Sequence, residues 1–159
     1  MYSDEFMELH RNSQKRFYGK DYTYFVTVVT QNRIPYFEEE IFCEVFYENL
    51  KMSIQVKGFM LHGWFLGYDH FHMLLALGDE FNISNIMQFL KRHVSRDVNF
   101  LMNEYHEGEI RESRLHNGTF KTLKPIIDVH DKKLKSLQKK FRQKYPHENN
   151  IPFPKFQWQ

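Results

Sequence analysis

The chain of 159 residues has the length of one domain, and its 22 Lys and Arg against 20 Asp and Glu give a net charge of +2. Its single cysteine, Cys43, excludes an internal disulfide and a cysteine-rich zinc site. No stretch reaches the roughly 18 uncharged apolar residues that a membrane span needs, and the N-terminus lacks a signal-peptide pattern. We therefore predict a cytoplasmic protein that binds no membrane.

Residues 1–20 are polar and irregular, with four basic side chains, which predicts a basic N-terminal arm. Residues 21–31 are rich in β-branched and aromatic side chains and predict a strand. From Glu38 the apolar residues recur at helical spacing, and Gly58 is expected to end that helix.

Residues 60–77 predict a hairpin, because two apolar runs flank a tight turn at 67–69. Side chains alternate along a strand, so His70 and His72 share one face of the second strand, together with Leu74 and Ala76. The opposite face is wholly apolar and is expected to lie under helices. Two imidazoles side by side at the mouth of a hairpin indicate a place for a metal ion.

The next element is the clearest amphipathic helix of the chain. Asn82 is a candidate N-cap, and apolar residues recur at helical spacing from Ile83 to Leu101. Its other side carries a basic and polar ridge, formed by Lys91, Arg92, Ser95, Arg96 and Asn99. The ridge predicts either a contact with a phosphate backbone or an ordinary solvated helix face.

The remainder of the chain differs in charge from what precedes it. Residues 1–120 contain 12 Lys and Arg against 17 Asp and Glu, whereas residues 121–159 contain 10 against 3. Residues 106–120 predict a long loop, and a lysine-rich helix is expected from about Ile126 to Lys144, after Pro125. Its apolar stripe is narrow, so we expect loose packing. A basic segment of this kind hints at a polyanion partner.

The order strand, helix, strand, strand, helix begins a βαββαβ pattern. It predicts an α+β fold, a ferredoxin-like sandwich with an antiparallel sheet and helices on one face, followed by a basic C-terminal helical region. The face of the histidine strand opposite the helices is then open to a ligand. Two neutral imidazoles leave open positions on a divalent ion, as a catalytic metal requires.

Several segments in this order resemble the single-tyrosine HUH transposases, specifically the REP-associated, IS200-like branch. Residues 69–75 resemble the motif histidine–hydrophobe–histidine, although Tyr68 and Asp69 stand where the family usually has Pro-Asn. Residues 24–33 resemble the opening strand, residues 83–92 with Asn99 the helix after the motif, and residues 156–159 an aromatic-Trp-Gln segment. The resemblance divides the chain into the arm 1–20, a core 21–105, an unmatched insertion 106–150 and the start of a final segment at 151–159.

The resemblance implies a domain that binds single-stranded or hairpin DNA, cuts it and rejoins it. His70 and His72 would hold Mg²⁺ or Mn²⁺ at the scissile phosphate, Lys91, Arg92 and Arg96 would contact DNA, and a tyrosine would form a 5′-phosphotyrosine. Family members are often dimers, so a homodimer is a further expectation.

The resemblance leaves the nucleophile unassigned. In the family it lies, with a third metal ligand, on a helix after the Trp-Gln segment, and no tyrosine here occupies that position. Tyr105 and Tyr145 lie on other stretches. We therefore expect a truncated copy that binds DNA without cleaving it.

Two alternatives remain open at this point. One is a metal-dependent hydrolase of another class, with His62 or Asp69 as third ligand. The other is a binding or scaffold module in which both histidines are structural.

Overall fold

A computed structural model describes residues 21–102 and 117–159. Within them lies a three-stranded antiparallel sheet of β1 (Thr23–Val29), β2 (Met60–Leu66) and β3 (His70–Ala76), in the order β1-β3-β2. The predicted hairpin is confirmed, with β3 as the central strand. The predicted first strand is confirmed as well, two residues shorter at each end.

Two predicted helix-end signals, Gly58 and Asn82, are confirmed. Helix α1 (Glu40–Lys57) ends at Gly58, whose φ of 60° is one that glycine adopts without steric cost. Helix α2 (Ile83–Met102) is capped by Asn82, whose side-chain oxygen accepts from the Asn85 amide at 2.9 Å.

Helix α3 (Asn117–Lys144) begins nine residues before the predicted Ile126 and passes through Pro125. The proline removes one backbone donor, but a buried stripe runs along the helix on both sides of it. The stripe consists of Leu123, His130, Leu134, Leu137 and Phe141. The prediction of a loop up to residue 120 was therefore wrong for residues 117–120, and the expectation of loose packing was wrong for the described part of the helix.

The core lies between the sheet and the helices. One face of β3, made of Phe71, Met73 and Leu75, is fully buried in one cluster with side chains of all three helices. We call it the covered face. The other side of the sheet, which carries His70 and His72, has partly exposed side chains and is called the open face.

The C-terminal segment packs at the outer edge of β1. Asn99 of α2 exchanges two side-chain hydrogen bonds with the Phe156 backbone, at 2.8 and 3.0 Å. Trp158 then forms an antiparallel bridge with Thr30. This pairing places the segment beside β1, on the side away from β3, where the last strand of a βαββαβ fold lies. The predicted α+β class with a ferredoxin-like arrangement is confirmed.

Three sequence-based expectations fall outside the described residues: the arm 1–20, the loop 106–116 and the position of Tyr105. The helices in the described ranges include none that is both long enough and apolar enough to cross a membrane.

Candidate metal centre on the open face of the sheet

The structure brings the two predicted histidines together. His70 and His72 lie at the start of β3, their ring centroids are 4.9 Å apart, and the ring planes meet at 66°. Both side chains are partly exposed. They share the open face because they are two positions apart on a strand whose intervening residue, Phe71, is fully buried.

The ring of His70 is oriented by the residue before it. Asp69 Oδ1 lies 2.6 Å from His70 Nδ1, and Asp69 Oδ2 lies 3.2 Å from Arg33 Nη1. The hydrogen bond with His70 and, less strongly, that with Arg33 hold the pKa of Asp69 below its ordinary value. An ionised carboxylate can only accept, so Nδ1 carries a hydrogen, and in the neutral imidazole Nε2 then has the free lone pair.

Gly67 is required by the position of the same ring. A Cβ atom at residue 67 would lie 2.5 Å from His70 Cε1 and 3.0 Å from Nε2. No side chain fits there unless the imidazole moves. The hairpin turn therefore sets the ring position from one side, and Asp69 sets it from the other.

His72 is oriented by the neighbouring strand. Thr27 is its direct partner on β1, and Thr27 Oγ1 lies 2.8 Å from His72 Nδ1. When Nδ1–H donates to this hydroxyl, Nε2 of His72 is also the nitrogen with a free lone pair.

This donor set fits a divalent cation. Ligating histidines characteristically direct their second ring nitrogen to a carboxylate or another polar group, as both rings do here. Within residues 21–102 and 117–159, no group of three or more His, Cys, Asp or Glu is suitably placed to hold a metal. Neither His62 nor Asp69 therefore completes a three-residue site in this structure. Two imidazoles leave several coordination positions for oxygen atoms of a substrate or water.

The ridge of α2 is only partly free to contact a ligand. Arg92 is exposed, whereas Arg96 Nε donates to the buried carboxylate of Asp97 at 2.7 Å. Lys91 Nζ donates to the Gln159 carbonyl at 3.3 Å. Gln159 in turn donates its amide to Val29, the strand partner of His70, so Lys91 approaches the histidine end of the sheet around the edge of β1.

Two tyrosine hydroxyls, those of Tyr36 and Tyr145, donate to other groups of the chain. Tyr36 donates to the Lys155 carbonyl at 2.9 Å, and burial raises its pKa. Tyr145 donates to Glu39 at 2.6 Å, and burial followed by this hydrogen bond raises its pKa as well. A raised pKa makes a phenol a poorer source of nucleophilic oxygen at neutral pH.

Sequence reasoning had missed three contributors to this site. Thr27 lies in the predicted first strand, but its pairing with His72 depends on the strand register, which no local pattern shows. Gly67 was read as a turn residue only. Arg33 was given no role, and its link to Asp69 spans 36 positions.

Comparison with known proteins identifies a family that the chain matches. The family model described as "Transposase IS200 like" matches residues 18–124. Among solved structures, the chain is similar to a REP-associated tyrosine transposase bound to a REP hairpin, with 20% identity and a TM-score of 0.46. The match covers 53% of this chain and 51% of that one, so the chain spans about half the length of that structure.

A second solved structure is that of a candidate transposase from Deinococcus radiodurans R1. It is 17% identical, with a TM-score of 0.45, and the match covers 70% of this chain and 95% of that one. None of the curated proteins matches the sequence.

Proposed function

Because the chain belongs to the IS200-like transposase family, we propose that it binds single-stranded or hairpin DNA and holds one phosphodiester at a cation on His70 and His72. The observation that carries the proposal is the pair of imidazoles on the open face, each with Nδ1 engaged and Nε2 left for a ligand. The proposed cation is Mg²⁺ or Mn²⁺, as the family resemblance implies, and either ion would fill its remaining positions with oxygen atoms of the phosphate and of water.

The chain's own residues prepare this site in two ways. Asp69 fixes the tautomer of His70, Thr27 engages Nδ1 of His72, and Gly67 leaves space for the ring of His70. A divalent cation bound there would polarise the phosphate and stabilise the leaving oxygen. In the reaction that the family resemblance implies, a tyrosine oxygen bonds to phosphorus while the 3′ oxygen leaves as a free hydroxyl.

We propose that this chain binds DNA without cleaving it by itself. Tyr36 and Tyr145 are committed to the Lys155 carbonyl and to Glu39, with raised pKa values, which supports assigning the nucleophile to neither.

The proposed backbone contacts are Lys91, Arg92 and Arg96. Exposure supports Arg92 as the principal one, since Arg96 is hydrogen-bonded to Asp97 and Lys91 to the C-terminal segment. A guanidinium can bind two oxygens of one phosphate at once, which suits Arg92 to a contact with the DNA backbone.

The test is binding of a hairpin with a single-stranded flank, followed by fluorescence anisotropy in MnCl₂ and in EDTA, with cleavage assayed on the same end-labelled DNA. We expect salt-sensitive binding, weakened in EDTA and in His70→Ala/His72→Ala, and no strand cleavage. Tyr47→Ala on α1 serves as control and is expected to bind as the wild type does.

Three results would contradict the proposal. If the chain shows no salt-sensitive binding, the proposed DNA binding is wrong. If the wild type binds equally well in MnCl₂ and in EDTA, and the double histidine variant binds as well as the wild type, no cation takes part in binding. Metal-dependent turnover of a simple phosphodiester, abolished by His70→Ala, would instead establish a hydrolase.

A further inference from the structure

Three aromatic rings stand side by side across the open face of the sheet. Phe25 of β1 and Phe65 of β2 flank His72 of β3, with centroid distances of 5.4 and 6.1 Å and interplanar angles of 20° and 24°. All three strands thus contribute one ring to a single stacked row. We call Phe25, His72 and Phe65 the aromatic row.

The two phenylalanines are unusually exposed for their type. Phe25 is 68% and Phe65 56% accessible to solvent. Burying a Phe side chain is worth about 1.5–3 kcal/mol, so leaving two exposed on one face forgoes a large stabilisation. The solvent face of an antiparallel sheet is ordinarily polar. Two exposed phenylalanines that flank one histidine on such a face therefore indicate a ligand.

The charge of the surface favours an anionic ligand. The three described strands contain no Asp or Glu. Asp69, in the adjoining turn, is neutralised by Arg33, whose side chain is 70% exposed. An approaching phosphate therefore meets imidazoles and a guanidinium, and no unpaired carboxylate of the sheet.

We propose that Phe25 and Phe65 stack unpaired bases of the DNA strand whose phosphate lies at His70 and His72. This inference rests on the proposed function and specifies the part of the DNA that the open face binds, namely unpaired bases. Bases in a duplex are already stacked on each other, so only an unpaired nucleotide can offer a free face to an aromatic side chain. The row thus selects single-stranded DNA at the point where the histidines hold the backbone.

The test uses the full chain and short single strands that contain 2-aminopurine, whose fluorescence is quenched when it stacks. We expect Phe25→Ala and Phe65→Ala each to weaken single-strand binding by about 5- to 150-fold, the range that alanine substitution of a stacking aromatic produces. Both variants are expected to relieve the quenching. Blunt duplex binding is expected to change less than about twofold, since a duplex has no free base face.

Matched variants separate stacking from general apolar contact. Phe25→Leu keeps apolar area and removes the ring, so it is expected to bind nearly as poorly as Phe25→Ala, whereas Phe25→Trp should retain binding and quenching. Tyr47→Ala removes an exposed aromatic side chain of α1 and is expected to leave single-strand binding and quenching unchanged. Melting temperatures of all variants verify that the fold is intact.

The results that overturn the proposal differ from one another. If the wild type binds single strands and the Phe25→Ala/Phe65→Ala variant binds them equally well, the row is not a base platform while the proposed function stands. If the wild type binds no DNA, both fall together. If the double variant abolishes self-association in analytical ultracentrifugation and leaves DNA binding unchanged, the row is a contact between two copies of the chain.

Discussion

The two faces of β3 differ in character although their residues alternate along one strand. Phe71, Met73 and Leu75 are fully buried on the covered face, whereas His70 and His72 are partly exposed on the open face. The covered face contributes free energy of folding, and the open face contributes polar groups with fixed orientation. Substitutions on neighbouring positions should therefore affect stability and ligand binding separately, which is open to direct test.

The largest expected effect is on the covered face. The ring of Phe71 lies 5.0 Å from that of Phe46 and 5.3 Å from that of Trp158. Phe71→Ala is expected to lower the free energy of unfolding by about 3–5 kcal/mol in urea titrations, because it removes buried area and leaves a cavity. His72→Ala, one position along, is expected to cost under about 1 kcal/mol. Equal losses in the two variants would refute the separation.

A second expected effect is a pH dependence of stability that comes from His93, a buried residue of α2. Burial, followed by the charge of Arg96, lowers the pKa of His93 from 6.5 to about 4. Between these values the unfolded chain binds more protons than the folded one, so stability is complete above pH 6.5 and falls as the pH drops towards 4. The shift corresponds to about 3 kcal/mol.

The measurement compares urea unfolding of the wild type and of His93→Gln across this pH window. The variant lacks the titrating ring and keeps the neighbouring Asp97–His130 contact. We expect the wild type to lose about 3 kcal/mol more than the variant over the same range. Parallel curves would show that His93 is not the group responsible.

Features determined by nearby residues could be predicted from the sequence. The alternation of β3, the stop at Gly58 and the Asn82 cap each depend on residues within a few positions of one another. The placement of both histidines on an uncovered face followed from the same alternation, together with the order of strands and helices.

Features that join distant parts of the chain could not be predicted in this way. Thr27 meets His72 across 45 positions, and Asp97 meets His130 across 33. The buried Asp97 also accepts from Asn49, so one carboxylate links α1, α2 and α3. The apolar stripe predicted for α3 was too narrow because only apolar residues were counted. His130 was omitted, although it is buried against Asp97.

The third effect concerns the open face. Asp69→Asn replaces the carboxylate that holds His70 Nδ1 at 2.6 Å. Because such outer partners typically contribute 10- to 100-fold to metal affinity, we expect Mn²⁺ binding in calorimetry to weaken by about that factor. Glu48→Gln, which alters an acid that pairs with Lys51 on α1, is the control and should bind Mn²⁺ as the wild type does. Unchanged affinity in Asp69→Asn would remove the assigned role of Asp69.

A smaller effect is expected from the hairpin turn. Gly67→Ala places a methyl group 2.5 Å from His70 Cε1, so the ring must shift and Mn²⁺ affinity is expected to fall by about tenfold. Gly63→Ala is a matched control on β2, because its added Cβ has no neighbouring atom within 4 Å. If the two variants bind Mn²⁺ equally, the close approach of Gly67 does not govern the position of the imidazole.

The smallest effect on DNA binding is expected from Arg92, which lies on the exposed ridge of α2 and not on the sheet. One phosphate contact contributes about 0.7–0.9 to the slope of log K against log salt, so Arg92→Ala should reduce that slope by about this amount for every DNA sequence tested. Lys51→Ala on α1 removes a charge already paired with Glu48 and should leave the slope unchanged. Equal reductions in both variants would mean that the DNA responds to net charge alone. A reduction confined to Arg92 would support its proposed contact with a phosphate.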